Sequence, residues 1–188
     1  MHHPFLIGEK LYLRGMERQD LEGDYFQWLN DYEVTQFTEA GRFPNTRERM
    51  DEYYSEIVLS GSNAFFAIID KETDLHIGTI KLGPIDWYHR KAAIAHMLGH
   101  KEYWGKSYST EAIMLVVEYG FTRLGLNKIW AGIAANHPAS QRCYEKAGLV
   151  LEGRAKGSFY YRGSYHDQLY FGVTRDDFLA GYNEQSRC

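Results

Sequence analysis

The sequence predicts one α/β (α+β) domain: a mixed, mostly antiparallel sheet of six to seven strands flanked by helices, with a parallel strand pair at its centre. Three observations predict it. Between residues 92 and 147 the pattern alternates strand, helix, strand, helix, and such a crossover leaves its two strands parallel. Residues 64–82 and 151–173 each hold two apolar runs joined by a short turn, as antiparallel hairpins do. The 188 residues show no repeat, low-complexity tract or linker, and 44% of them are hydrophobic, enough to bury one core.

Taken in order, residues 11–14 read as a short strand. Leu21, Tyr25, Trp28 and Leu29 recur at helical spacing within residues 20–29, with Asp20 as the expected N-cap. Residues 37–44 are polar and broken by glycine and proline, so they read as a loop. Thr46 caps a second helix to about residue 59, which Gly61-Ser62-Asn63 ends. Residues 64–69 and 76–82 are hairpin strands around a turn at 70–75, and Gly83-Pro84 is expected to break the second.

Residues 92–98 are nearly all apolar, as in a central strand covered on both faces. The next helix, over 109–124, carries Ala112, Val116 and Tyr119 on one stripe and Ile113, Val117, Gly120 and Leu124 on the next. So wide an apolar face suits packing across a sheet, and Gly125 is the expected stop. A strand at 128–133 precedes a helix at 138–147, with Pro138 in its first turn and Gly148 past its end. Strands at 151–161 and 164–173 meet at Arg162-Gly163, and a last helix covers about 176–182.

A net charge of −4 gives no electrostatic footprint for nucleic acid. Cys143 and Cys188 make neither a disulfide framework nor a metal motif, and Cys188, the last residue, is expected to be mobile. The start lacks a signal-peptide pattern and no apolar run reaches about 18 residues, so a cytoplasmic protein with no membrane partner is expected. Fifteen Tyr, ten Phe and four Trp are read first as core packing, and second as the walls of a cleft.

The stretch Tyr103-Trp104-Gly105-Lys106-Ser107-Tyr108-Ser109-Thr110-Glu111-Ala112 is the most informative. It follows a strand and opens a helix. A tight turn there leaves several backbone N–H groups unpaired at the positive end of the helix dipole, a site for an anion such as a pyrophosphate.

This stretch resembles the acetyl-CoA pyrophosphate loop of GNAT N-acetyltransferases, and more narrowly the "YWGKGYATEA" form of the ribosomal-protein-alanine acetyltransferase subgroup. Downstream, Asn136-His137-Pro138-Ala139-Ser140-Gln141-Arg142-Cys143-Tyr144-Glu145-Lys146-Ala147-Gly148-Leu149 resembles that family's second motif, "NxxSxRxxEKxGF". The resemblance spans about residues 9–180 and implies a single acetyltransferase domain over 1–188, with acetyl-CoA as cosubstrate, no metal, and a monomer or homodimer. It places the cofactor on Trp104, Gly105, Lys106, Ser107, Tyr108, Ser109 and Thr110, with Asn136 on the pantetheine arm. The family's asparagine falls at His137 in strict alignment, so Asn136 implies a one-residue shift or a substitution by His137.

Ser107 and Ser109 stand where the family usually has glycine, or glycine or alanine. Serine is small, can cap a helix and can donate to a phosphate oxygen, so binding is expected to survive. Tyr144 occupies the place of the tyrosine that protonates the leaving thiolate, and Ser140, four residues earlier on the same helical face, is the competing acid.

The general base is open. Ala93 stands where many relatives carry a strand glutamate. His96, which would lie on the opposite face with Ala92 and Ile94, is the main candidate because histidine titrates near neutrality. Asp86, His89 and Asp167 are others, and amines arriving neutral would need no base. The implied reaction is acetyl transfer to a primary amine: a protein N-terminus, an amino sugar, a polyamine or an aminoglycoside. The loop at 37–44 and the hairpin at Arg162-Gly163 are expected to shape the acceptor site, with Glu39, Asp86 and Asp167 as candidate anions. A non-catalytic acyl-CoA-binding module of the same fold is the alternative.

Overall fold

The computed structural model describes residues 3–185, so Cys188 lies outside the described residues. Among the described residues eight strands form one sheet: β1 (Leu6–Ile7), β2 (Leu11–Gly15), β3 (Ala64–Asp70), β4 (His76–Asp86), β5 (Lys91–Leu98), β6 (Lys128–Ala134), β7 (Val150–Tyr161) and β8 (Ser164–Thr174). Their order is β1-β2-β3-β4-β5-β6-β8-β7. Every neighbouring pair is antiparallel except β5 and β6, which are parallel as the crossover pattern predicts. The eighth strand is β1, whose two residues pair with Leu13 and Tyr12 and are too short to leave a periodic signal.

Among the described residues six α-helices accompany the sheet: α1 (Asp24–Asn30), α2 (Tyr32–Thr35), α3 (Arg47–Leu59), α4 (Tyr108–Thr122), α5 (Pro138–Lys146) and α6 (Arg175–Gln185). Side-chain alternation divides the core in two. Leu11, Leu13, Phe66 and Ile68 face α4 with Ile113, Val116, Val117 and Phe121. Tyr12, Ala67 and Ile69 point the other way, against Tyr25, Trp28, Leu29 and Met50 of α1 and α3. Strands β2 and β3 are therefore buried on both sides. Gly120 lets α4 approach closely, since a Cβ there would lie 2.7 Å from Ile129 Cδ1.

Three local expectations are corrected. Asp20 does not cap α1. It sits in a 3₁₀ turn over Arg18–Glu22, where its carboxylate accepts from Arg14 Nη1 and Nη2 (2.7 and 2.6 Å) and from the Glu17 N–H. The buried arginine outcompetes the helix end because an unpaired interior cation costs far more than a missing cap. Gly23 occupies the N-cap of α1 instead.

Gly83-Pro84 does not end β4. The strand continues to Asp86 across a register shift between Leu82 and Ile85, a bulge that absorbs the missing proline N–H. Part of the loop at 37–44 forms a 3₁₀ turn at Glu39–Arg42. Elsewhere the local chemistry holds: Thr46 accepts from the Arg49 N–H at the start of α3, and Pro138 opens α5.

Candidate active site

The loop between β5 and α4 begins with a 3₁₀ turn, Lys101–Tyr103. Trp104 then anchors it through an indole N–H to the Leu98 carbonyl (2.9 Å). Gly105 (φ 74°) and Ser107 (φ 70°) both take left-handed backbone conformations. The helix starts at Tyr108, one residue earlier than expected, with Ser107 in the N-cap position. The Ser107 hydroxyl makes no capping bond, so the expected serine cap is not formed by that residue. The first intrahelical bond runs from Glu111 N–H to Ser107 O (3.1 Å), leaving the N–H groups of Tyr108, Ser109 and Thr110 ahead of it. A φ of 70° at position 107 is the conformation that glycine, the residue expected there from the resemblance, adopts without strain. Serine pays about 1 kcal/mol for the same turn.

β5 and β6 pair only at Lys91↔Lys128, Ala92↔Ile129 and Ala93↔Trp130, although β5 runs on to Leu98 and β6 to Ala134. The strands part beyond Ala93. A cleft of about 950 Å³ passes through the gap, lined on one face by Ile94, His96, Ser140 and Tyr144 and on the other by Ala95, Met97, Thr79 and Lys81. Trp104, Gly105, Ser107, Tyr108, Ser109 and Thr110 line it from the loop, and Glu33, Phe37 and Glu39 line it from α2 and the segment after it, with Glu33 paired to Lys101 (2.6 Å) and Glu39 to Arg42 (2.6 Å). Lys106 and Asn136 lie outside the lining, whereas His137 is part of it. Asn136 Oδ1 is nonetheless buried without a hydrogen-bond partner.

His96 shares its strand face with the buried Ala92 and Ile94, as period-two alternation predicts. Its Nδ1 lies 3.1 Å from the Tyr144 phenolic oxygen, and the two rings meet edge to face at 5.4 Å. The phenol also donates to the Ile94 carbonyl (3.4 Å). Burial pushes the Tyr144 phenol well above its usual range, so it stays protonated. Desolvation, with a smaller contribution from His137, lowers His96 to about 4. The near-neutral titration expected of His96 is thereby corrected: the imidazole is neutral at physiological pH and a weak base.

Ser140 and Tyr144 both face the cleft from α5, and Cys143 lines it beside them. Asp86 and His89 sit at the far end of the β4–β5 hairpin, where the Asp86 carboxylate accepts from the His89 N–H (2.9 Å). Asp167 is engaged by Arg154 and the Gly157 N–H. None of these three lines the cleft. The 37–44 segment does contribute, and Tyr161 of the β7–β8 hairpin stacks on Phe37 (4.9 Å) while donating to Gln36 (2.8 Å). Sequence reasoning passed over the wall formed by Thr79, Lys81 and Met97. Alternation along β5 held the signal, since Met97 is an odd step from His96.

A family model described as the acetyltransferase (GNAT) domain matches residues 10–150. The chain belongs to the GNAT acetyltransferase family. A Bacillus licheniformis protein named as an uncharacterised N-acetyltransferase, p20, is 30% identical over 177 residues, covering 93% of this chain and 98% of its own. Spermidine N(1)-acetyltransferase of Vibrio cholerae is 27% identical over 173 residues, 92% of this chain and 98% of that one. The crystal structure of Vibrio cholerae spermidine N-acetyltransferase in complex with CoA and spermine is similar with a TM-score of 0.82 at 25% identity, covering 92% and 99% of the two chains. This GNAT protein is thus an N-acetyltransferase with the mixed open sheet of those structures. Among its described residues no helix is long and apolar enough to cross a membrane.

Proposed function

We propose that the protein transfers the acetyl group of acetyl-CoA to a primary amine, with a polyamine as the first acceptor class to test. One observation carries this: one cleft at the β5–β6 gap is lined by the loop at the start of α4, by the Tyr144–His96 pair and by the segment bearing Glu33 and Glu39. The named relatives in Vibrio cholerae motivate placing polyamines ahead of a protein N-terminus.

The unpaired N–H groups at Tyr108, Ser109 and Thr110 suit the pyrophosphate, with Trp104 to Ser107 shaping the turn and Lys106 adding positive charge. The β5–β6 gap exposes backbone groups to the amides of the pantetheine arm. His137, which lines the cleft where Asn136 does not, is the better candidate for a contact to that arm.

In the reaction, the amine lone pair attacks the thioester carbonyl carbon and the carbonyl oxygen takes the negative charge. The intermediate collapses, the C–S bond breaks, and the CoA thiolate takes the Tyr144 hydroxyl proton. The nitrogen's proton passes to water, from which Tyr144 is reprotonated, so no further reactant is consumed. His96, neutral and 3.1 Å away, orients the phenol rather than deprotonating the amine, which arrives neutral. Ser140 is the alternative proton donor. Calorimetric titration tests the cofactor assignment: acetyl-CoA is expected to bind with a one-to-one stoichiometry, and no binding at millimolar concentration contradicts it.

A further inference from the structure

Asp70, the last residue of β3, is a carboxylate only 3% exposed. It does not line the cleft, and the mechanism above leaves it unused. Its Oδ1 accepts from the Tyr108 phenol (2.7 Å). Its Oδ2 accepts from the Thr73 hydroxyl (2.6 Å), the Thr73 N–H (3.1 Å) and the Tyr103 phenol (3.3 Å). Burial alone would raise its pKa, but bonds from Thr73, Tyr108 and Tyr103 outweigh it and hold the group ionised below its ordinary range.

The two phenols come from the residues that bracket the loop. Tyr103 closes the 3₁₀ turn before Trp104, and Tyr108 is the first residue of α4 after Ser107. Their rings meet edge to face at 5.0 Å, and both line the cleft. Four residues, Trp104 to Ser107, therefore span between two anchors on one carboxylate. Two of the four hold left-handed backbone, which is unstrained at Gly105 but at Ser107 persists only where its surroundings over-determine it.

We infer that Asp70 is a positioning residue for acetyl-CoA, fixing through Tyr103 and Tyr108 the loop geometry that receives the pyrophosphate. The inference rests on the proposed reading of that loop as the acetyl-CoA site. Pre-ordering the loop removes a cost that binding would otherwise bear. Asp70 touches neither Tyr144 nor His96, so its effect falls on cofactor affinity and spares the chemical step.

The test compares the full-length wild type with Asp70→Asn, Tyr108→Phe and the double variant, by acetyl-CoA calorimetry and steady-state kinetics. Each single variant is expected to raise the acetyl-CoA Kd and KM about tenfold, with kcat and the amine KM within about twofold. The double variant should be little worse than the weaker-binding single one, because both act on the anchoring of Tyr108 to residue 70. A purely structural role gives the reverse split: less folded enzyme lowers kcat and leaves KM alone, which overturns the inference. If wild type fails to bind acetyl-CoA, the reading of the site falls and the inference with it. If wild type binds and the variants bind within about twofold of it, the site reading stands and the positioning role is overturned. Should Asp70→Asn not fold, Thr73→Val decides, since it removes a hydroxyl donor to the Asp70 carboxylate from outside the cleft lining: a raised acetyl-CoA Kd supports the positioning role and an unchanged one overturns it.

Discussion

The phenolic oxygen of Tyr144 lies 3.1 Å from Nδ1 of His96, joining α5 to β5 where β5 has parted from β6. The contact unites a residue from the second sequence motif with one from the strand before the first. It also explains why a histidine is tolerated on an apolar strand face: its ring nitrogen has a partner, and the ring is held neutral.

Tyr144→Phe keeps the ring's packing and removes the hydroxyl. Turnover is expected to fall about 100-fold, within the range for a lost general acid, with acetyl-CoA affinity nearly unchanged. Steady-state kinetics beside calorimetry measures both. Unchanged turnover would transfer the role to Ser140 or mean that no side chain acts as the acid.

Stability should depend on pH through three histidines. Desolvation holds His76, His96 and His137 at about 4, against the ordinary 6.5. Between those values the unfolded chain binds protons that the folded chain does not, so stability is lost as pH falls from about 6.5 toward 4. Above pH 7 these groups contribute no slope. Melting temperatures from pH 4 to 8 check the sign; a midpoint constant across the acid range is inconsistent with buried neutral histidines.

Ser107→Gly relieves a left-handed serine at φ 70°. Part of the gain is returned as unfolded-state entropy, leaving about 0.5 kcal/mol of stabilisation and a melting shift of roughly 1–2 °C. Acetyl-CoA binding should hold or tighten. A lower melting temperature means the left-handed turn carries no strain.

Asp20→Ala leaves the Arg14 guanidinium buried without its carboxylate; the two side chains are only 5% and 6% exposed. The expected loss is about 3–5 kcal/mol, read from urea denaturation. Replacing both residues by apolar ones of similar volume should cost much less, and equal losses would mean the unpaired charge is not the cause.

The features legible in the sequence are those written locally. The small-residue turn after an apolar strand located the loop, the Pro138 start located α5, and the order of elements fixed the parallel pair. Missed features depend on distant partners. Asp20 reads as a cap until Arg14 is seen beside it, and Asp70 reads as a turn residue until Tyr103 and Tyr108 converge on it. His96 reads as a titrating base because its type is visible in sequence and its desolvation is not. Gly83-Pro84 reads as a strand end because the bulge that tolerates it is a property of the pair β4–β5.

Amine-dependent release of CoA thiol from acetyl-CoA tests the central claim most directly, with wild type and a spermidine-led panel of primary amines. The account predicts thiol release that requires the amine, saturates in both substrates, and yields one acetylated amine per thiol. Acetyl-CoA binding with no amine-dependent release from any member of the panel would contradict it.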